Sequence, residues 1–246
     1  MLDPRFDGFE NFVFDLDGTV WNWKEVFPGA PAVFSALKAR GKRFFFATNN
    51  TLLTLDGFVE KLRNMGIAAE RGSVINPSVP ARTLLKGKRV FCIGEGLVSE
   101  LRKSGIKVVP SRADAVLIGT DRGLSYEKLA AACEEVRAGA EFYKVASEGS
   151  FLCGTKILPG AGAIAALVEK VTGVKPVLIG KPSDFMAEAI LSLGLEPEKT
   201  VLIGDDCSSD IALGEKLGFT TVFVKTGIGP ECEADMVLGS IAEIVR

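Results

Sequence analysis

Short apolar runs of strand length alternate with helix-length segments along this chain, and that alternation restricts its fold more than any other feature. Phe12 to Leu16 is an aromatic and branched run of the kind that makes a buried strand, and it gives out abruptly at Asp17-Gly18. Ala32 to Arg40 reads as a helix stopped by Gly41, and Arg43 to Thr48 as a second buried strand. Further strands are expected at Arg89 to Ile93, Ala115 to Ile118, Val177 to Ile179, Thr200 to Ile203 and Thr221 to Val224. Helices are expected at Leu55 to Asn64, Tyr126 to Ala138, Gly162 to Val171 and Phe185 to Leu193. Strands joined through helices require right-handed crossovers, so the class is α/β with mostly parallel sheet.

In open sheets of this kind, ligands bind beyond the carboxyl ends of the strands. Polar clusters stand at four such ends: Asp15-Leu16-Asp17-Gly18-Thr19, Thr48-Asn49-Asn50, Gly180-Lys181-Pro182 and Gly204-Asp205-Asp206 running on to Asp210. Asp15 and Asp17, two apart where a strand ends, can face one site, one carboxylate attacking while the other handles protons. Two anions do not approach each other unaided, so such a site needs cations. Asp15 and Asp205 supply hard oxygen ligands suited to Mg²⁺, Lys181 a second positive charge, and Thr48 with nearby amides neutral donors for phosphoryl oxygens. Taken singly, each cluster has a plainer reading: a turn at Asp15-Gly18, a helix cap at Asp205-Asp206, a solvated lysine, a loop cap at Thr48. An EF-hand beginning at Asp15 fails, because Val20 and Val26 stand where Gly and Glu are required. It is their shared position at strand ends that favours one site.

Composition narrows the chemistry further. The chain has no histidine, which removes Ser-His-Asp and Cys-His arrangements and every His-ligated metal site. Lys+Arg 29 against Asp+Glu 31 gives no global attraction to nucleic acid or an anionic membrane. Five cysteines with no CxxC spacing suggest reduced thiols, and with a polar N-terminal segment and no membrane-spanning run they suggest a cytoplasmic protein.

At these same residues the sequence resembles the haloacid dehalogenase superfamily of phosphatases, in the branch similar to NagD, p-nitrophenyl phosphatases and phosphoglycolate phosphatases. Asp15 to Thr19 matches the first motif, Thr48-Asn49-Asn50 the second, Lys181 the third, and Gly204-Asp205 with Asp210 the fourth. Pro159 to Gly162 and Gly180 to Ser183 resemble this branch in particular. The resemblance implies a Rossmann-like core over residues 1–77 and 177–246, with a large α/β cap of the C2 type inserted at 78–176. It implies Asp15 as nucleophile and magnesium ligand, and Asp17 as general acid and then base, lending its backbone carbonyl to the metal. It makes Thr48, Asn49 and Lys181 phosphate holders, Asp205 the second carboxylate ligand and Asp210 an outer partner of metal waters, a role for which Asp206 competes. A small phosphorylated metabolite is the implied substrate, and pairing of two copies through their caps an implied assembly. Lys144 to Glu148 departs from the Ala-Thr-Asn-x-Asp segment usual in relatives, so substrate preference does not carry over; Arg122, Ser147 and Glu148 are the candidates to face the leaving group.

Other features carry less. Gly94-Glu95-Gly96 imitates a dinucleotide fingerprint, but Ser99 stands where the third glycine belongs, and a tight strand-to-helix turn suffices. Trp21 and Trp23 fit packing beneath a loop as well as a substrate entrance, and Cys207 reads as a small buried residue. The competing functions are phosphoryl transfer to an acceptor other than water, a phosphate-binding module, and a signalling receiver domain. Asp17 argues against the last, because receivers lack a second carboxylate two residues beyond the first.

Overall fold

The computed structural model describes residues 1–245. Its strands are β1 (Asn11–Phe14), β2 (Arg43–Ala47), β3 (Val74–Ile75), β4 (Arg89–Ile93), β5 (Lys107–Val108), β6 (Ala115–Ile118), β7 (Glu141–Lys144), β8 (Ser150–Cys153), β9 (Lys156–Pro159), β10 (Val177–Leu178), β11 (Thr200–Gly204), β12 (Thr220–Val224) and β13 (Met236–Leu238). The α-helices are α1 (Ala30–Ala39), α2 (Leu55–Asn64), α3 (Ser78–Leu84), α4 (Glu95–Lys103), α5 (Tyr126–Arg137), α6 (Ala161–Thr172), α7 (Asp184–Leu191) and α8 (Ala212–Leu217).

Two parallel sheets result. The first has the order β13-β12-β11-β1-β2-β3 and the second β10-β7-β6-β4-β5, while β8 and β9 form a separate antiparallel hairpin. The fold is thus α/β, as the alternation implies. In the first sheet β1 lies between β11 and β2, and the chain crosses to opposite sides of it early and late. That reversal opens a crevice at the carboxyl ends of β1 and β11, the standard ligand position in a doubly wound sheet.

The period-two alternation of strand side chains builds the layers. Phe12 and Phe14 of β1 pack with Phe34 and Leu37 of α1 and Phe58 and Leu62 of α2, whereas Val13 points to the other face, with Met186 and Ile190 of α7 and Leu213 of α8. Each fully buried Phe contributes about 2–3 kcal/mol of apolar burial. The second sheet is covered likewise, by α4 on one face and by α5 and α6 on the other.

The second sheet is inserted in sequence between β3 and β11. Val177 and Leu178 pair with Tyr143 and Lys144 of β7, so the second sheet takes a strand from beyond residue 176, where the core was expected to resume. The two units meet at a buried charge: Glu100 of α4 is fully buried, accepting from the Leu55 N–H at 3.1 Å and from Arg71 and Arg82 at 3.2 and 2.7 Å. No helix among the described residues is long and apolar enough to cross a membrane.

The cysteine expectation needs correction. Cys207 and Cys232 are joined by a disulfide, with their Cα atoms 6.0 Å apart, and Cys92, Cys133 and Cys153 are free. Cys207 is half-buried, not the buried apolar residue anticipated. The 25-residue separation hides the pairing, because the segment after β12 folds back over the loop after β11 and brings the two thiols together only in three dimensions.

Candidate active site

The register of the first sheet brings three of the four clusters together. Phe14 pairs with Ile203 on one side and Phe46 on the other, so Asp15 emerges one residue beyond the paired ends while Thr48 and Asp205 emerge two beyond. The Asp15 N–H still donates to the Ile203 carbonyl at 2.8 Å, and the Thr48 N–H to Ile75 at 3.0 Å, which fixes both backbones as strand extensions. Lys181 arrives from the second sheet, in the turn between β10 and α7 whose helix is capped by Ser183.

The buried Lys181 ammonium lies 2.5 Å from Asp15 Oδ1, 2.5 Å from Asp210 Oδ1 and 2.7 Å from the Ala47 carbonyl. Burial pulls its pKa down, but the Asp15 and Asp210 carboxylates outweigh that and hold the lysine charged. Asp15, Asp205 and Asp210 offer carboxylate oxygens within 4.8 Å of one another. Burial is the largest cause of their raised pKa values: Asp15 rises to about 6 and Asp210 to about 7 against the pull of Lys181, and Asp205 goes well above its usual range with Asp15 and Asp210 adding to the rise.

Three crowded carboxylates balanced by one ammonium form a hard-oxygen set that a divalent cation would neutralise, so these residues fit a metal such as Mg²⁺. The cradle is shaped for it. Gly18 sits at φ 95°, and a Cβ there would lie 2.3 Å from Asp205 Oδ2; a Cβ at Gly227 would lie 1.9 Å from the same oxygen. Thr19 donates to Asp205 Oδ1 at 3.0 Å and orients that carboxylate.

Asp17 occupies a different environment. Its side chain is half-buried and turned from the cluster, accepting from the Trp21 indole N–H at 2.8 Å and from Asn50 Nδ2 at 2.9 Å. Burial raises its pKa, against the hydrogen bonds from Asn50 and Trp21.

The remaining expected residues fall into two groups. Thr48, Asn49, Ser147 and Glu148 line a cavity of ≈ 360 Å³ together with the aspartates and Lys181. The Asn49 amide is heavily committed: it accepts from the Lys181 N–H at 2.7 Å and donates to the Lys181 carbonyl and to Glu148. Arg122, by contrast, is outside the cavity wall; its guanidinium lies over the Trp23 ring, 5.6 Å from the centroid, where an exposed arginine is held by cation–π attraction. Asp206 caps the turn into α8, accepting from Ser209 N–H and the Ser208 hydroxyl, while Asp210, expected only as an outer partner, has its carboxylate inside the cluster. The 226–229 segment carries no sign of the site in its sequence, yet the Thr226 hydroxyl donates to the Gly18 carbonyl, and Ile228 and Gly229 complete the wall. Gly94 to Gly96 is the turn into α4 and lies outside the wall.

Two aspartates beside a strand end, a buried lysine and a carboxylate pair that fits a cation make up a centre for phosphoryl chemistry, and comparison with known proteins gives the class. Residues 12–107 match the family model of haloacid dehalogenase-like hydrolases, and residues 178–244 that of a related hydrolase-like family. The chain is 34% identical over 228 residues to 5'-nucleotidase YutF of Bacillus subtilis, covering 89% of this chain and 88% of that one. It is 33% identical over 227 residues to an acid sugar phosphatase of Staphylococcus aureus, at the same coverage. The crystal structure of a 4-nitrophenylphosphatase from Thermotoga maritima superposes with a TM-score of 0.88 at 30% identity, covering 98% and 97% of the two chains. The chain belongs to the haloacid dehalogenase-like hydrolases. Within them it stands among the phosphatases, enzymes that hydrolyse phosphoric monoesters.

Proposed function

We propose that this chain hydrolyses a small phosphomonoester through a phosphorylated Asp15, with Mg²⁺ held by Asp15, Asp205 and the Asp17 carbonyl and with Asp210 beside them. The single observation that carries the reading is that two carboxylates two residues apart sit in different environments. Asp15 is clamped by Lys181 in the cation-binding cluster, and Asp17 is held aside by Trp21 and Asn50. Carboxylates separated in this way take separate roles.

Asp15, charged at neutral pH with a pKa of about 6, is the nucleophile: its oxygen bonds to phosphorus as the ester P–O bond breaks. Asp17, whose pKa burial raises, gives its proton to the departing alkoxide. The Asp17 carboxylate then takes a proton from water, whose oxygen attacks phosphorus; the bond to Asp15 breaks, inorganic phosphate leaves and Asp15 is restored. Lys181 and the Thr48 hydroxyl hold phosphoryl oxygens as charge builds on them. A bound magnesium ion supplies charge neutralisation at the phosphoryl group. A cavity of ≈ 360 Å³ fits a small metabolite, in keeping with relatives named for nucleotide and sugar phosphates.

The test is phosphate release from a panel of phosphomonoesters, with Mg²⁺ and with chelator, for the native chain, Asp15→Asn and Asp17→Asn. Magnesium-dependent release that falls by at least about a hundredfold in either variant is expected. Turnover that survives Asp15→Asn would overturn the mechanism, and substrate consumed without release of phosphate would point to transfer onto another acceptor.

A further inference from the structure

The charges of the cavity wall are lopsided. Asp15, Asp17, Asp205, Asp206, Asp210 and Glu148 all line it, and Lys181 is its only cationic side chain among the described residues. The inner aspartates have work that accounts for them: Lys181 and a divalent cation would offset much of their charge, and the phosphate is drawn to that end. Glu148 has no such partner. It comes from the cap, on the segment between β7 and β8, and its carboxylate is fixed by Asn49 Nδ2 at 3.0 and 3.3 Å. The same Asn49 side chain accepts from the Lys181 N–H, so Glu148 stands one side chain away from the lysine that grips Asp15. On either side of it, Ser147, Gly149 and Ser150 are neutral and hydrogen-bonding, and Phe151 and Leu152 are apolar. On the cap side, a leaving group beyond the phosphate therefore meets hydroxyls, peptide groups and the fixed negative charge of Glu148, with no arginine or second lysine among the described residues of the wall to pair with an anion.

Resting on the reading of this cavity as a phosphatase site, we propose that Glu148 is a charge filter. It admits phosphomonoesters whose leaving group is neutral and hydroxyl-bearing, and it turns away those that carry a further carboxylate or phosphate. A like charge at short range in a partly desolvated site discriminates strongly, whereas a neutral polyol forfeits nothing and can donate hydrogen bonds to the same carboxylate. The bond to Asn49 invites a plainer role, as a clasp between cap and core. Glu148→Gln separates the two, because the glutamine oxygen still accepts from Asn49 while the charge is gone.

Glycerol phosphate and phosphoglycerate share a three-carbon skeleton and differ in carrying a hydroxymethyl group or a carboxylate, so the ratio of their kcat/KM values, measured with Mg²⁺, reads the filter. The native chain is expected to favour glycerol phosphate, and Glu148→Gln to shrink that preference about tenfold by restoring the acid. A ratio unchanged by the substitution, or a native preference for phosphoglycerate, would overturn the proposal. Calorimetric binding of the same two esters to Asp15→Asn and to Asp15→Asn/Glu148→Gln reads the ratio without turnover. An inactive native chain would thus sink the phosphatase reading, while the binding ratio would still decide the filter: equal shifts for both esters would count against it.

Discussion

Trp21 shows how much of the site depends on a residue that touches no substrate. Its indole is fully buried, stacked on Phe58 with centroids 6.3 Å apart, and its N–H has one use, the bond to Asp17 Oδ1. Asn50 holds the other Asp17 oxygen, so the two donors fix the plane of the carboxylate and leave it little freedom to swing toward Asp15. Trp21→Phe keeps most of the ring packing and removes the donor. Proton donation requires a neutral Asp17, and a hydrogen bond between neutral groups contributes about 0.5–1.5 kcal/mol, so loss of this positioning bond should lower kcat/KM roughly threefold to tenfold where proton donation by Asp17 is needed. An alkyl phosphate has a poor leaving group and needs that proton; p-nitrophenyl phosphate has a good one and needs it less. We expect the loss on the alkyl ester to exceed the loss on the nitrophenyl ester, whereas equal losses would mean that Trp21 only packs.

Among the elements, the 225–235 segment after β12 is the one whose support is least visible in sequence. It presents Gly227 to Asp205, puts Ile228 and Gly229 into the cavity wall, and is stapled by Cys232 to Cys207, two residues past Asp205. Closing a loop of 25 residues restricts the unfolded chain by about 3 kcal/mol. Cys232→Ser should therefore melt several degrees below the native chain in oxidising buffer and match it once a dithiol reductant is added. Thiol titration of the unfolded native protein should count the three free cysteines before reduction and all five after it. Five thiols before reduction would remove the staple. The reasons this element escaped the sequence, while β1, β2, β6 and β11 did not, are physical. β1, β6 and β11 are buried throughout and β2 is buried from Phe45 to Ala47; all four read as near-continuous apolar runs, and the polar ends of β1, β2 and β11 announce the site. A disulfide, the indole bond of Trp21 and the approach of Asp210 to Lys181 depend on where the chain returns in space, which periodicity does not encode. The hairpin β8–β9 is illegible in the sequence for a related reason: Lys156 and Ile157 of β9 are exposed and its strands have no helix between them, and the two-residue strands β3 and β5 are too short to show a period at all. The family motifs carried Asp205 and Lys181 to one site, and parallel register accounts for the way Asp15, Thr48 and Asp205 meet.

At the scale of the whole molecule, the site is a concentration of like charge that the fold tolerates. Asp15, Asp205 and Asp210 are buried together, and among the described residues Lys181 alone pairs with two of them. Because burial raises their pKa values, to about 6 for Asp15 and about 7 for Asp210, the metal-free folded state binds more protons than the unfolded chain between about pH 4 and pH 7. The sign follows: stability of metal-free protein falls as pH rises through that window, since ionisation is easier in the unfolded state. Surface carboxylates act in a lower window. Asp114 is held at about 2 by its hydrogen bonds from Arg89, so its contribution is complete above the ordinary aspartate pKa and is lost only as pH falls toward 2. Between pH 5 and pH 7.5 the buried cluster should therefore govern the trend. In chelator, the melting temperature is expected to drop across that interval by roughly 5 °C. With millimolar Mg²⁺ the drop should shrink or reverse, because a cation that binds ionised carboxylates in the folded state stabilises it more as pH rises. Asp210→Asn removes one of the crowded charges and should flatten the chelator curve without needing the metal. Thermal unfolding at four pH values, with and without Mg²⁺, checks all three expectations. A metal-free melting temperature that climbs from pH 5 to 7.5 would show that the cluster is neither crowded nor buried in the way its geometry requires.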